Sequence, residues 1–295
     1  MIDTIDNEEI KGIEKTGEGD DLYSRALPRG YLSVSQVMQY TKCGEAYRRR
    51  YVLEQLIPSN SFMVQGRGVH KAAEELHLSI IGGSPISSAE MVQHYSDVHD
   101  TEIVYAEIKE EDSKGDPLTP GVIKDMGVRL TRKYHRVALG SDKDSKTGQP
   151  IPAVKPVAAE QVFRVKVTPE NSDPIPFMGV IDLVEEGSIS DLKTKKKAAS
   201  QSEADNSIQL SLYAHVTGIP HVRLDQLVKP TKTMPERFLR TESIRDKRET
   251  MHALDVVAEV AQDIASGRFR RTNPENWWCT EKWCPYWKDC RGRKR

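Results

Sequence analysis

The sequence predicts a mixed α/β (α+β) domain in which a mixed sheet is flanked by helices, with helices ahead of it and a cysteine-rich tail behind. Three observations predict this. Helical periodicity dominates residues 31–150, and alternation with a period of two takes over from residue 157. A helical stretch at 206–218 then interrupts the strands, and a last helix follows them. Three of the four cysteines fall in the closing segment CTEKWCPYWKDC.

The elements follow in order. Residues 1–22 hold eight acids and two lysines, a net −6, and the acidic stretch 1–30 is expected to be disordered. Ser33 with Gln36 has the form of a capping box and opens a helix over 33–52, with Cys43 in its middle. Arg48, Arg49 and Arg50 near its end suit the helix dipole. SFMVQGRGVHKAAEELHLSII reads as a second helix, entered through Gly66 and Gly68. Pro85 and its serines break the chain, and amphipathic helices follow over roughly 88–111 and 117–138. GSDKDSKTGQP is a polar loop. Strands at 157–167, 177–185 and 189–194 form a meander, the last two joined by the turn EEGS. NSIQLSLYAHVTG is helical, VRLDQLVKP and RFLRTESI are strands, and a long helix over 244–267 ends at Gly267. The domain boundaries that follow are 31–150 for the helical region, 151–267 for the sheet-bearing core and 268–295 for the tail.

Composition narrows the class. Hydrophobic content of 37% and charged content of 29% suit a soluble protein, and no apolar run approaches membrane-spanning length. The N-terminus has no apolar signal-peptide segment. A cytoplasmic protein with reduced thiols is therefore expected. The net charge of −1 hides an asymmetry, because residues 268–295 hold nine Lys/Arg against three acids, or +6. A basic stretch of this kind points to a polyanion, nucleic acid first among them, although a solubilising tail would look the same.

Asp182 lies inside the apolar strand GVIDLV, and Asp191 and Lys193 form D-x-K on the next strand. Residues i and i+2 of a strand face one side, and a hairpin would bring Asp182 beside them. Two carboxylates in an apolar sheet repel unless a cation sits between them. Hard oxygen ligands suit magnesium or manganese, and a lysine beside the metal could orient or help deprotonate a water and stabilise negative charge as it develops. A salt-bridged hairpin, Asp191 with Lys193 or Lys195, is the plainer alternative. Gln209 and Tyr213, at i and i+4, share a helical face, His70 follows G-x-G-V, and Glu160 opens the meander. His70, Glu74 and His77 also share a face and could form a separate site.

The ordered motifs G-R-G-V-H (66–70), G-V-I-D-L (179–183), D-L-K-T (191–194) and Q-L-S-L-Y (209–213) resemble those of RecB-family nucleases in the PD-(D/E)XK superfamily. One cysteine before this core and three after it resemble the iron–sulfur branch of AddB-type and CRISPR-associated exonucleases and their phage relatives. The resemblance spans about residues 31–290 and implies a restriction-endonuclease-like fold. It implies metal ligation by His70, Asp182, Asp191 and the Leu192 carbonyl. It makes Lys193 the catalytic lysine, gives Gln209 and Tyr213 a role at the site, and leaves Glu160 a possible member. Asp191 stands where many superfamily members carry Glu, a change the RecB branch often accepts.

The spacing Cys279-x4-Cys284-x5-Cys290, with Cys43 far upstream, leaves one distant and three local thiolates. Zinc fingers keep their ligands in two short pairs, so this arrangement favours a 4Fe–4S cluster tying the tail to the first helix, with zinc as the alternative. Relatives commonly have two residues between the first two of the three local cysteines, so the spacing here departs from theirs. All four tryptophans, at 277, 278, 283 and 287, surround these cysteines.

The function expected is a metal-dependent deoxyribonuclease. By resemblance it acts as an exonuclease on single-stranded DNA ends in bacterial or phage recombination, repair or replication. A non-catalytic nucleic-acid-binding protein with a metal-bound tail would bind DNA without degrading it. A nuclease subunit of a larger helicase complex would need its motor on another chain, because the sequence has no G-x-x-x-x-G-K-S/T loop.

Overall fold

The computed structural model describes residues 22–108, 118–145, 147–170 and 172–292. Most of the acidic N-terminus expected to be disordered, the end of the helix expected over 88–111 and the last three basic residues lie outside them. The architecture is mixed α/β, as the sequence pattern implies, with a six-stranded sheet among the described residues. In chain order the elements are α1 (Leu22–Ala26), β1 (Leu32–Ser33), α2 (Val34–Lys42), α3 (Gly44–Tyr47), α4 (Ser61–Ile81), α5 (Ser88–Glu102) and α6 (Pro120–Ala138). Then come β2 (Pro156–Val167), β3 (Ile175–Glu185), β4 (Ser188–Lys195), α7 (Gln201–Asp205), α8 (Ile208–Thr217), β5 (His221–Val228), β6 (Arg237–Ile244), α9 (Lys247–Ala265) and α10 (Trp287–Arg291).

The meander forms as expected: β2, β3 and β4 pair antiparallel in sequence. β4 then pairs parallel with β5 through the α7–α8 crossover, and β6 returns antiparallel to β5. β2 covers one edge of β3 along nearly all its length. The other edge is shared, because β4 pairs only with residues 183–185 and β1 only with 177–178. Past the first pairs β4 therefore turns away from β3, leaving 179–182 without a strand on that side. Asp182 and Asp191 stand where the two strands part.

The sheet is packed on both faces. One apolar cluster joins α1, α2, α8 and α9 to residues such as Phe177, Ile189 and Leu224. The other joins α4, α5 and α6 to Leu183, Leu192, Leu227 and Phe238. Within the second cluster Tyr95 of α5 lies fully buried between two glycines, Gly68 of α4 and Gly127 of α6. A Cβ on Gly68 would fall 2.9 Å from the Tyr95 ring, and one on Gly127 only 1.9 Å from its hydroxyl oxygen. Gly68 is thus a packing glycine inside α4, which spans the expected segment and is capped by Asn60, whose side chain accepts from the Met63 N–H. Gly66, also inside α4, faces Thr194 of β4.

The first helix differs from expectation. It is not continuous through Cys43: the backbone there is extended (φ −167°, ψ 109°), and α2, α3 and a π-turn at Arg48–Val52 replace one rod. The cause is a close crossing, because the chain after α9 runs over Gly44, whose Cβ would lie 2.9 Å from the Arg270 nitrogen, and Glu45 N–H donates to the Arg270 carbonyl. Ser33 does cap α2 through the Gln36 N–H. The Gln36 side chain instead donates to the Tyr31 carbonyl and accepts from the Tyr47 hydroxyl.

Because α4 carries His70, its seat on α5 and α6 fixes the site. Gly127→Ala forces Tyr95 out of its slot and should cost about 1–3 kcal/mol. A lowered urea midpoint with unchanged m-value is the expected result, and an unchanged midpoint would show that α6 simply shifts.

Candidate metal and phosphodiester site

The parting of β3 and β4 leaves backbone groups without sheet partners, and side chains close them. The Leu192 N–H donates to Asp182 Oδ2 at 2.7 Å. The Val180 carbonyl accepts from the Tyr213 hydroxyl at 2.6 Å. Tyr213 reaches it from α8, whose register also places Gln209 one turn earlier on the same face. Gln209 Nε2 lies 2.8 Å from Asp191 Oδ1 and 2.9 Å from the Tyr213 oxygen. Lys193 Nζ donates to the same Asp191 oxygen at 2.7 Å.

Asp182 turns the other way, toward α4. His70 Nδ1 lies 3.6 Å from Asp182 Oδ2. Glu160 of β2 stands across from Asp182, between the register pairs Ala159–Leu183 and Gln161–Ile181. Ligand atoms of His70, Glu160 and Asp182 all lie within 4.8 Å of one another, the one such group among the described residues. Glu160 has φ +45°, a left-handed conformation that a non-glycine residue rarely holds inside a strand and that costs about 1–3 kcal/mol. Facing carboxylates directly opposite on paired strands are themselves unfavourable. A divalent cation between them would offset the carboxylate repulsion, and the two oxygens and one imidazole suit magnesium or manganese.

The electrostatics separate the carboxylates. Burial raises the Glu160 carboxyl from 4.5 to about 7, with the Asp182 charge adding to it. Asp182 is also buried, but the His70 hydrogen bond and charge, the Lys193 charge and the Leu192 N–H outweigh burial and hold it below the usual range. Asp191 is pushed up by burial, with Asp182 adding to this while Lys193 opposes it. Burial disfavours the charged form of Lys193, yet Asp191 and Asp182 raise its pKa overall, so it carries a proton at neutral pH. His70 likewise stays above its ordinary value because Asp182 outweighs burial.

The expected site residues therefore fall into two linked groups. His70, Asp182 and Glu160 form one, and Asp191, Lys193, Gln209 and Tyr213 the other. They are joined through Asp182 and the Leu192 backbone, and Leu192 meets Asp182 through its N–H. Asp191 does not share the close His70–Asp182 cluster. The alternative histidine stripe dissolves, because Glu74 pairs with Lys71 and His77 is buried against the Tyr134 hydroxyl at 2.9 Å. The hydroxyl that closes Val180 was not legible in sequence, since nothing in Q-x-x-x-Y says which carbonyl lacks a partner.

The four cysteines form no disulfide and line one cavity of about 480 Å³ between the first helices and the tail. The tail is anchored there by Tyr286 donating to the Gln55 carbonyl at 2.8 Å and by Tyr40 donating to the Arg268 carbonyl at 2.6 Å. Burial pushes the Cys284 thiol up, and the other three cysteines add to this. No three of the sulfurs approach within 4.8 Å.

A model of the PD-(D/E)XK nuclease superfamily matches residues 31–291. The chain belongs to that superfamily. No curated protein matches the chain. Among solved structures it is similar to one titled "Crystal structure of SSO0001", at 14% identity and a TM-score of 0.30, over 43% of this chain and 56% of that chain. This chain thus spans little more than half of that protein's length. Among the described residues, no helix is long and apolar enough to cross a membrane.

For Glu160 the linkage has a definite sign. A carboxyl whose folded pKa is raised stabilises the fold below its unfolded value, and that contribution is lost as pH rises toward about 7. In EDTA at pH 8, Glu160→Gln should therefore stabilise the protein by roughly 1–2 kcal/mol, and manganese should raise the melting temperature of the wild type more than that of the variant. Equal melting temperatures in EDTA and equal shifts in manganese would remove Glu160 from the cation site.

Proposed function

We propose that the protein is a metal-dependent deoxyribonuclease of the RecB type that hydrolyses phosphodiester bonds, acting as an exonuclease on single-stranded DNA ends in the cytoplasm of a bacterium or a phage-infected host. The observation that carries the hydrolytic reading is Lys193, held 2.7 Å from Asp191 at the parting of β3 and β4, beside the His70–Glu160–Asp182 cluster. His70, Asp182 and Asp191, with Glu160 and the Leu192 backbone, are the residues that would hold magnesium or manganese. A divalent cation bound there supplies an acidified water and neutralises phosphate oxygens.

The chain's own groups do the rest. Lys193, held by Asp191, is placed to orient or help deprotonate the attacking water and to stabilise charge on the phosphate. Gln209 fixes the Asp191 carboxylate, and Tyr213 fixes Gln209 while closing the Val180 carbonyl. Lys195–Lys197, Arg48–Arg50 and the terminal RGRKR supply backbone contacts to DNA, which makes binding salt-dependent and sequence-tolerant. Trp277 and Trp283, 63% and 53% exposed with rings edge to face, offer surfaces on which unpaired bases stack.

The tail is read as a clip. Cys43, Cys279, Cys284 and Cys290 are assigned to a 4Fe–4S cluster in preference to zinc, a reading supported by one distant and three local cysteines that line one cavity. Closing a loop this long constrains the unfolded chain strongly.

Two tests follow. Asp191→Ala or Lys193→Ala should abolish cleavage of end-labelled single-stranded DNA in magnesium or manganese, a loss of at least 100-fold on the order of one lost electrostatic contact, while binding persists. Wild-type turnover in either variant would misplace the site. Protein purified without oxygen should contain iron and sulfide, and Cys43→Ala should release them and expose the chain near Arg268–Arg271 to protease. Stoichiometric zinc without iron would overturn the cluster and keep the clip, and an unaltered tail in Cys43→Ala would overturn both.

A further inference from the structure

Lys229 ends β5 in a position that the reaction described so far does not use. Its ammonium lies 4.0 Å from the centroid of the Phe62 ring. Its N–H donates to the Lys195 carbonyl at 2.8 Å, extending the β4–β5 pairing by one residue. The side chain is half-buried, and among the described residues no carboxylate pairs with it. The charged neighbours facing it are few. Lys196, on the turn after β4, adds a like charge, α4 contributes only the uncharged Phe62, and Lys195 pairs with Glu203 instead. Burial, then the Lys196 charge, pulls the Lys229 amine down to about 8. A half-buried cation beside a second cation, with no counter-ion, is unfavourable in the free protein and calls for an anion.

The location says which anion. Phe62, Gly66 and His70 are spaced i, i+4, i+8 and share one stripe of α4. His70 meets Asp182, Gly66 faces Thr194, and Phe62 meets Lys229. Eight residues of helix put Phe62 about 12 Å from His70. Along the sheet, Leu192, whose N–H holds Asp182, is opposite Asp225, and Lys229 lies four residues further on toward the same face, about 13 Å at strand rise. Both routes set Lys229 at a distance that one or two nucleotides of an extended strand would bridge from the reacting phosphate.

We propose that Lys229, backed by Phe62 and assisted by Lys196, binds a phosphodiester phosphate of the DNA strand one or two nucleotides away from the phosphate being hydrolysed. This rests on the nuclease reading and adds a strand-binding residue to it. Lys229 sets how firmly the strand is held, and so acts on binding and KM rather than on the chemical step. The Phe62 face restrains the lysine stem, which keeps the amine from swinging into solvent.

The test uses the full chain and a fluorescein-labelled single-stranded oligonucleotide, with binding followed by anisotropy in EDTA from pH 6.5 to 9.5 and over a salt series. Cleavage is followed separately in manganese. Wild-type binding should weaken as pH rises through about 8, where Lys229 loses its proton. Lys229→Arg keeps the charge and should bind with wild-type strength while losing that alkaline weakening. Lys229→Met keeps the stem and should bind about tenfold more weakly below pH 8. Its slope of log affinity against log salt should be shallower by about 0.7, one phosphate contact, and KM should rise with kcat nearly unchanged. Wild-type affinity, salt slope and pH profile in Lys229→Met would overturn the assignment while leaving the nuclease reading intact. Absence of cleavage by the wild type in magnesium and manganese would overturn the nuclease reading instead, with the binding data still deciding Lys229.

Discussion

Everything at the site depends on β4 leaving β3 after three residue pairs. A sheet that stayed paired would bury Asp182 and Asp191 opposite each other with no space between them. Once the strands part, the Leu192 N–H and the Val180 carbonyl lose the partners a continuous ladder would give them, and buried backbone groups must be satisfied. Asp182 takes the first and Tyr213 the second. The side chains that keep the parted strands from closing are thus the ones that define the pocket, so fold and site are one construction.

The second constraint is charge. Three carboxylates and one lysine share a small, half-buried volume, and the protein holds the carboxylates apart in pKa by giving each a different neighbour. Asp182 has His70, Asp191 has Lys193 and Gln209, and Glu160 is raised by burial and by the opposing Asp182, with His70 pulling less strongly the other way. Glu160 also keeps a left-handed backbone in mid-strand. Unfavourable features gathered at one place are the usual mark of a site whose ligand compensates them. The cysteine tail works differently. It lies against the first helices, and the break of the helix at Cys43 is the local consequence of the chain crossing at Gly44.

Much of this was legible in the sequence because it rests on periodicity. The alternation in FMGVIDLVE and ISDLKT gives two strands, and D-x-K sets Asp191 and Lys193 on one face. The i, i+4 spacing of Gln209 and Tyr213 gives their shared helix face. What was not legible depends on contacts between distant segments. The helical pattern of 33–52 contains nothing that announces a break at Cys43, since the cause lies at Arg270. The strand β1 is only two residues long. Glu160 reads as an ordinary strand acid until β2 and β3 are in register, and only then does it face Asp182. Gly66 and Gly68 lie inside a helix whose span the pattern gives, but nothing in it says that Thr194 and Tyr95 come close there.

The central claim is that the parted strands build a cation site from His70, Glu160 and Asp182. The most direct measurement is anomalous diffraction at the manganese edge from crystals soaked in manganese. The account predicts a peak in contact with Asp182 and at least one of His70 and Glu160, and no such peak in Asp182→Asn. A peak elsewhere on the molecule, or one at this position that survives in Asp182→Asn, would contradict it.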